Sequence, residues 1–204
     1  MSKAHWENIY STKSPESVSW YQPHAQRSLD WIVRTGIARE AQIIDVGGGA
    51  STLVDDLLDE GYEHITVLDL SDAALHVARK RLGARAEQVR WCESDVTTAE
   101  FPALMFNVWH DRAVFHFLTE AADRRAYVKQ LRHAVKPGGH IIMATFSLDG
   151  PTHCSGLPIV QYSADTLQAE FGSYFELVEH ANEQHTTPSG AVQHFIYCHF
   201  IKRS

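Results

Sequence analysis

The feature that most narrows what this chain can fold into is a short apolar run ending in glycine. Ala41-Gln42-Ile43-Ile44-Asp45-Val46 is rich in β-branched residues and is followed at once by Gly47-Gly48-Gly49. Such a run reads as a buried strand. Three residues without side chains let a ligand approach the backbone of the turn that follows. Leu53, Val54, Leu57 and Leu58 then recur at helical spacing until Gly61 stops the helix. The alternation continues with a strand at His64–Asp69, a helix capped by Ser71 that carries Ala74, Leu75, Ala78 and Leu82, and a short strand at Val89–Cys92. A fourth strand is expected over Leu104–His110. A helix striped by Tyr127, Val128, Leu131, Ala134 and Val135 closes at Lys136-Pro137-Gly138-Gly139, before a fifth strand at Ile141–Phe146.

Strands alternating with helices predict βαβ units, hence a mostly parallel sheet with helices on both faces, a Rossmann-like α/β class. The end of the chain breaks that rhythm. Tyr174–His180 and Val192–Ile201 both read as strands, and the stretch between them holds Pro188 and Gly190 and is too polar for a crossover helix. This pair is therefore expected to be an antiparallel hairpin.

In an open α/β sheet, ligands bind beyond the carboxyl ends of the strands. Asp69, Asp95 and Asp111 are expected there, after strands two, three and four. Asp69 lies twenty positions after Gly49, the offset from which a carboxylate accepts ribose hydroxyls. A nicotinamide or flavin dinucleotide is disfavoured, because Thr52 stands where the last small residue of G-x-G-x-x-G belongs. The alternative reading of Asp69 and Asp95 is as helix caps alone.

These residues carry a family resemblance. Asp45-Val46-Gly47-Gly48-Gly49 resembles motif I of the class I methyltransferases that use S-adenosylmethionine (SAM). Val67-Leu68-Asp69-Leu70-Ser71 resembles motif II, Ser94-Asp95-Val96 the adenine-side acidic motif, and Leu131 to Ile142 the turn into strand five. The resemblance implies one Rossmann-like methyltransferase domain over residues 1–204, with a helical lid segment at 1–40 and the core at 41–204. It also implies SAM as cofactor and S-adenosylhomocysteine (SAH) as product. Gly47 and Gly49 would meet the amino-acid part of SAM along the Gly47-Gly48-Gly49 turn, and Asp69, with Leu70 beside it, the ribose. Asp95 would meet the adenine amino group, Val96 would pack on the ring, and Asp111 would lie near the methionine end. Gly48 stands where many members carry a bulkier residue.

Trp6 and Tyr10 are spaced i, i+4 and share a helix face, and Trp20-Tyr21 follows. These aromatics either anchor the N-terminal segment or form a lid over donor and acceptor, where an aromatic face suits a sulfonium. For the acceptor, Asp111-Arg112-Ala113 resembles the thiopurine methyltransferase-like group, as does Gly156-Leu157-Pro158 with the helix expected over Ser163–Phe171. That likeness implies a small-molecule acceptor, a thiol or other soft nucleophile. Arg112 and His116 are the candidate catalytic residues, against an ion pair and a core histidine. Tyr21 and His153 are expected to approach the acceptor, with Cys154 a spectator in a flexible turn of the irregular loop Ser147–Pro158. The chain also resembles methyltransferases that modify protein lysines, which makes a protein acceptor the second reading. A domain that binds SAM without catalysis is the third.

Composition restricts partners. The formal charge of −7 argues against a nucleic-acid substrate. No apolar run is long enough to span a bilayer and the N-terminus has no secretory h-region, so no membrane association and a cytoplasmic location are expected. Cys92, Cys154 and Cys198 are scattered and form no zinc-type pair. His194 and His199 are an odd number apart and face opposite sides of a strand, so no metal site is expected.

Overall fold

The chain enters its sheet in the middle. β1 (Gln42–Val46) runs parallel to β2 (His64–Asp69) on one side and to β4 (Phe106–Arg112) on the other. β3 (Val89–Glu93) flanks β2, and β5 (Val135–Phe146) flanks β4. Because the chain travels outward to β3 and then returns to β4, a crevice opens beyond the carboxyl ends of β1 and β4. Between β5 and β8 (Phe175–Thr186) lies β9 (Val192–Lys202), antiparallel to both, giving the order β3-β2-β1-β4-β5-β9-β8. The computed structural model describes residues 2–204.

Adjacent residues of a strand point to opposite faces, so both faces must be apolar if both are covered. Ile43, Val67 and Val108 pack under α2 (Gln26–Arg34), α3 (Leu53–Asp59) and α4 (Asp72–Leu82). Their neighbours Ile44, Leu68 and Trp109 pack under α5 (Ala121–Ala134) and α6 (Ala164–Phe171). Ser71 caps α4, accepting from Ala74 N at 3.2 Å, and Ser163 with Thr166 forms a capping box on α6. The architecture is the Rossmann-like one expected. No helix among the described residues is long and apolar enough to cross a membrane.

Four boundaries differ from the expectation. β4 begins at Phe106, because Leu104 takes a left-handed turn (φ 51°) and donates its N–H to His133 O at 2.8 Å. The strand then continues through Arg112, since Asp111 and Arg112 still pair with Met143 and Ala144. Lys136–Gly139 does not separate helix from strand. It bulges within β5, where the register against β4 shifts between Phe106 and Val108 and Gly138 takes φ 72°. β8 runs on to Thr186, leaving only residues 187–191 to turn the hairpin.

The N-terminal segment lies over the ligand edge. Its helix α1 (Lys3–Thr12) is tied down by Glu7, which accepts from Asp72 N (2.7 Å) and Ala73 N (3.4 Å) at the start of α4, and by a Lys3–Glu93 ion pair. The loop after β5 is not irregular throughout. β6 (His153–Cys154) and β7 (Leu157–Pro158) form a small ribbon turned by Ser155 and Gly156, both at positive φ.

Candidate active site

Two cavities lie at the crevice. They share a wall made by Tyr10, Trp20, Gly47 and Arg112. Gly47 adopts φ 70°, and a Cβ there would stand 2.0 Å from Val114 Cγ2, so the turn requires glycine. A Cβ on Gly48 would strike Asp45 Oδ2 at 2.2 Å. Gly48 lines the second cavity. Gly49 lines neither cavity: its N–H donates to Asp69 Oδ2 at 3.1 Å, and its Cα packs against Ala74.

The first cavity gathers the acidic strand ends. Asp69, Leu70, Asp95 and Val96 all line it, over an apolar floor of Val46 and Leu68. Asp69 is buried, and burial pushes its carboxyl up to about 6, against the pull of the Ser71 and Gly49 N–H groups it accepts. Asp69 thus braces the glycine turn against α4, beyond the ribose role expected of it. Asp95 accepts from Thr97 N (2.8 Å) and Oγ1 (2.7 Å) through Oδ1 alone, leaving Oδ2 without a protein donor among the described residues.

An aromatic roof closes this cavity. Trp6 meets Trp20 edge-on at 5.8 Å and Phe117 at 5.2 Å between centroids, and Trp20 Nε1 donates to Tyr10 Oη at 3.2 Å. Trp6, Tyr10, Trp20, Phe117 and Cys154 all line it. His5 Nε2 lies 3.3 Å from Ser155 Oγ, so α1 also touches the β6–β7 ribbon.

β4 separates what the sequence reading had joined. Its alternation sends Val108, His110 and Arg112 to one side and Trp109 and Asp111 to the other. Asp111, expected near the methionine end of the cofactor, is fully buried and lines neither cavity. It accepts from Tyr127 Oη (2.6 Å) and from Val114 and Phe115 N–H (2.9 and 3.4 Å), pinning the turn after β4; burial pushes it up to about 6. Its neighbour His110, overlooked in the sequence, lines the second cavity with Asp45.

His110 belongs to a buried polar chain. Its Nδ1 stands 2.6 Å from Asp45 Oδ1, and its Nε2 is 2.8 Å from Ser28 Oγ. Ser28 Oγ is 3.3 Å from Tyr197 Oη, which accepts from Arg112 Nε at 3.2 Å. Donor accounting gives the chain one direction. Arg112 can only donate and the Asp45 carboxylate can only accept, so with His110 neutral and its proton on Nδ1 that N–H goes to Asp45, the Ser28 proton to Nε2 and the Tyr197 proton to Ser28. Asp45 Oδ2 is buried without a partner. Asp45, His110 and Ser28 have the spacing of a hydrolytic triad, but Ser28 is fully buried on α2 and lines neither cavity, so it cannot meet a substrate.

Arg112 stands on the wall between the cavities. His116 does not. It is fully buried, stacks on Phe146 at 4.7 Å and accepts the Phe146 N–H at 3.3 Å, while burial pulls it down to about 3. It lines neither cavity and stays uncharged, so it corrects to a core histidine. Tyr21 lines the second cavity, beside Gln22. His153 is exposed and turns to Thr152 Oγ1 at 3.1 Å, and the alternation of β6 directs Cys154 inward instead. Cys154 is therefore buried in the cavity wall, its thiol pushed up to about 11 by burial.

Residues 43–139 match the methyltransferase domain family. The chain is 26% identical over 108 residues to the eEF1A lysine and N-terminal methyltransferase of Mus musculus, covering 53% of this chain and 15% of that protein. It is 28% identical over 119 residues to the ubiquinone biosynthesis O-methyltransferase of Aromatoleum aromaticum, covering 58% and 50%. The chain thus spans half or less of the length of these curated relatives. In fold it is similar to the N-methyltransferase NodS of Bradyrhizobium japonicum, solved with SAH, at a TM-score of 0.74 and 13% identity over 99% of both chains.

Proposed function

We propose that this chain, which carries a class I SAM-dependent methyltransferase domain, transfers the methyl group to a small acceptor that is already nucleophilic when it binds. When bound, SAM supplies a methyl group on a cationic sulfur, open to in-line displacement. Two observations fit that cofactor. The orphaned Asp45 Oδ2 on the second cavity matches an ammonium donor, and the free Asp95 Oδ2 on the first matches an amino donor. Asp69 would take the ribose hydroxyls, Leu70 and Val96 the faces of the base, and the Gly47-Gly48 backbone the amino-acid end. Trp6, Tyr10 and Trp20, carried by residues 1–40, would act as the lid that excludes water and faces the sulfonium.

The observation that carries the acceptor reading is that, with Asp95 given to the amino group of the cofactor, no uncommitted base lines the first cavity among the described residues. Tyr10 is pushed well above its ordinary range by burial, and Cys154 holds its proton up to about 11. His116 is shut in the core, and Arg112 cannot accept a proton. Asp69 is committed to Gly49 and Ser71. An acceptor atom here must attack as a free lone pair or as an anion formed in solution. A thiolate meets that requirement, being ionised near neutral pH and strongly nucleophilic.

Protein lysine is the second reading, favoured by the names of the eEF1A relatives. It requires removal of an ammonium proton and entry past the aromatic roof. Calorimetry with SAM and SAH tests the cofactor, and absence of binding by both ends the proposal. Tritiated SAM incubated with lysate, then split into protein and small-molecule fractions, tests the acceptor. Label confined to protein reverses the choice. SAH binding without turnover over a broad acceptor panel points to a binding domain without catalysis.

A further inference from the structure

Resting on the reading of SAM as the donor, we infer that His110 and Ser28 are positioning residues for the amino-acid end of the cofactor, acting through Asp45 beneath the Gly47-Gly48 turn. Asp45 on β1 and His110 on β4 are register partners on adjacent parallel strands, so their side chains leave the sheet on the same side. Both are buried, and both line the second cavity with Gly47 and Gly48. His110 Nδ1 engages Asp45 Oδ1 at 2.6 Å and leaves Oδ2 without a hydrogen-bond donor among the described residues. Oδ2 lies directly under the turn, where a Cβ on residue 48 would stand 2.2 Å from it. A carboxylate shut beneath a turn needs no contact to act on what the turn binds, because its field crosses low-dielectric protein. The amino-acid end of SAM is a zwitterion, and this field draws its ammonium toward the turn and drives its carboxylate away.

What fixes that oxygen is the row behind it. His110 Nε2 stands 2.8 Å from Ser28 Oγ, and Ser28 Oγ stands 3.3 Å from Tyr197 Oη. A neutral imidazole that accepts from Ser28 at Nε2 keeps its proton on Nδ1, aimed at Asp45. Without the Ser28 hydroxyl the other tautomer opens, which meets Asp45 with a lone pair and repels the carboxylate. Ser28 comes from α2, 82 positions before His110, and lines neither cavity. It therefore acts on the cofactor only through the imidazole. The row has the members of a hydrolytic triad in reverse use: its working end is the carboxylate, and the serine is the anchor.

The test compares, by calorimetry on the full chain, SAH, its analogue with hydrogen in place of the amino group, and methylthioadenosine, which has no amino-acid end. The wild type should favour SAH over the deaminated analogue by about ten-fold. Asp45→Asn should remove that preference. His110→Leu should reduce it about five-fold and Ser28→Ala about two-fold. His110→Asn, whose amide N–H replaces Nδ1–H, should restore most of it. His110→Leu added to Asp45→Asn should change the preference no further, since both act on one carboxylate. Methylthioadenosine should bind every variant within about two-fold of the wild type. Ser28→Ala removes only a hydroxyl and carries the test if His110→Leu does not fold. An equal loss of SAH and methylthioadenosine in the His110 and Ser28 variants would make the row a packing feature and overturn the inference. So would an amine preference that survives Asp45→Asn, one untouched by both His110→Leu and Ser28→Ala, or a His110→Asn variant as poor as His110→Leu. All of these leave the methyltransferase reading standing, whereas failure of SAH itself to bind the wild type removes both.

Discussion

Asp69 at the end of β2 and Asp111 near the end of β4 are the same residue type in the same kind of place. Both are buried, both are pushed up to about 6 by burial, and both accept backbone N–H groups from the turn that follows. Yet Asp69 lines the first cavity, while Asp111 is sealed under α5 by Tyr127. The difference is the phase of the pleat. A carboxylate at the carboxyl end of a strand reaches a ligand only if its side chain falls on the open side of the sheet. On β4 that side belongs to His110 and Arg112.

The two carboxylates should differ most in what they do for affinity. Asp69→Ala should weaken SAH binding by about 100-fold, since it removes charge-assisted hydrogen bonds and the brace on Gly49; calorimetry at neutral pH reads this. Asp111→Ala should do the reverse. It leaves Tyr127 Oη and two backbone N–H groups buried without an acceptor, so stability should fall by about 2–3 kcal/mol in denaturant unfolding. SAH affinity of the folded variant should stay within a few-fold. If the two variants behave alike, the division by pleat phase is wrong.

The two carboxyls also respond to acidity. Both carboxyls sit above the unfolded value of about 3.9, so their contribution favours the folded state below that value and is lost as pH rises through about 6. Between pH 7 and pH 5 these two groups should therefore stabilise the apo-protein. SAH needs Asp69 ionised to accept the ribose hydroxyls, so its affinity should fall about ten-fold by pH 5. Calorimetry and thermal unfolding over one buffer series should give opposite trends, and parallel trends would exclude Asp69 as the ribose acceptor. The smallest effect lies beside Arg112. Ala113 holds φ 73°, a conformation that strains a residue with a Cβ. Ala113→Gly should raise stability by up to about 1 kcal/mol in urea unfolding, or lower it if the Cβ packing in the cavity wall outweighs the strain.

Much of the fold was legible because its signals are local. β2 falls where the apolar run indicated, Ser71 caps α4, and the terminal hairpin is antiparallel. The boundaries that moved were those decided by pairing with a neighbour: the bulge in β5 and the continuation of β4 exist because the two strands accommodate one another. Asp69, Leu70, Asp95 and Val96, singled out for their places at or just after strand ends, do gather in one cavity, because a strand end fixes where the next residues lie. His116 and His153 were misjudged because neighbouring residues in a short turn or ribbon point in opposite directions, and only packing decides which one faces in. The parity that separates His110 and Arg112 from Asp111 was already present in the apolar Val108 and Trp109. It becomes usable once the strand is known to run through Arg112.

By itself, then, the sequence determined that this chain folds as alternating strands and helices with an acidic, glycine-turned edge, since hydrophobic period and turn chemistry act over a few residues. Only the tertiary structure decided what Arg112 touches. Its partners Trp20 and Tyr197 lie 92 and 85 positions away, and Ser28 and Tyr197, which meet behind it, are 169 apart. No local pattern records such meetings, because they follow from helices and a hairpin docking onto a common sheet, where burial of apolar surface sets the geometry and the polar groups pair with what they find beside them.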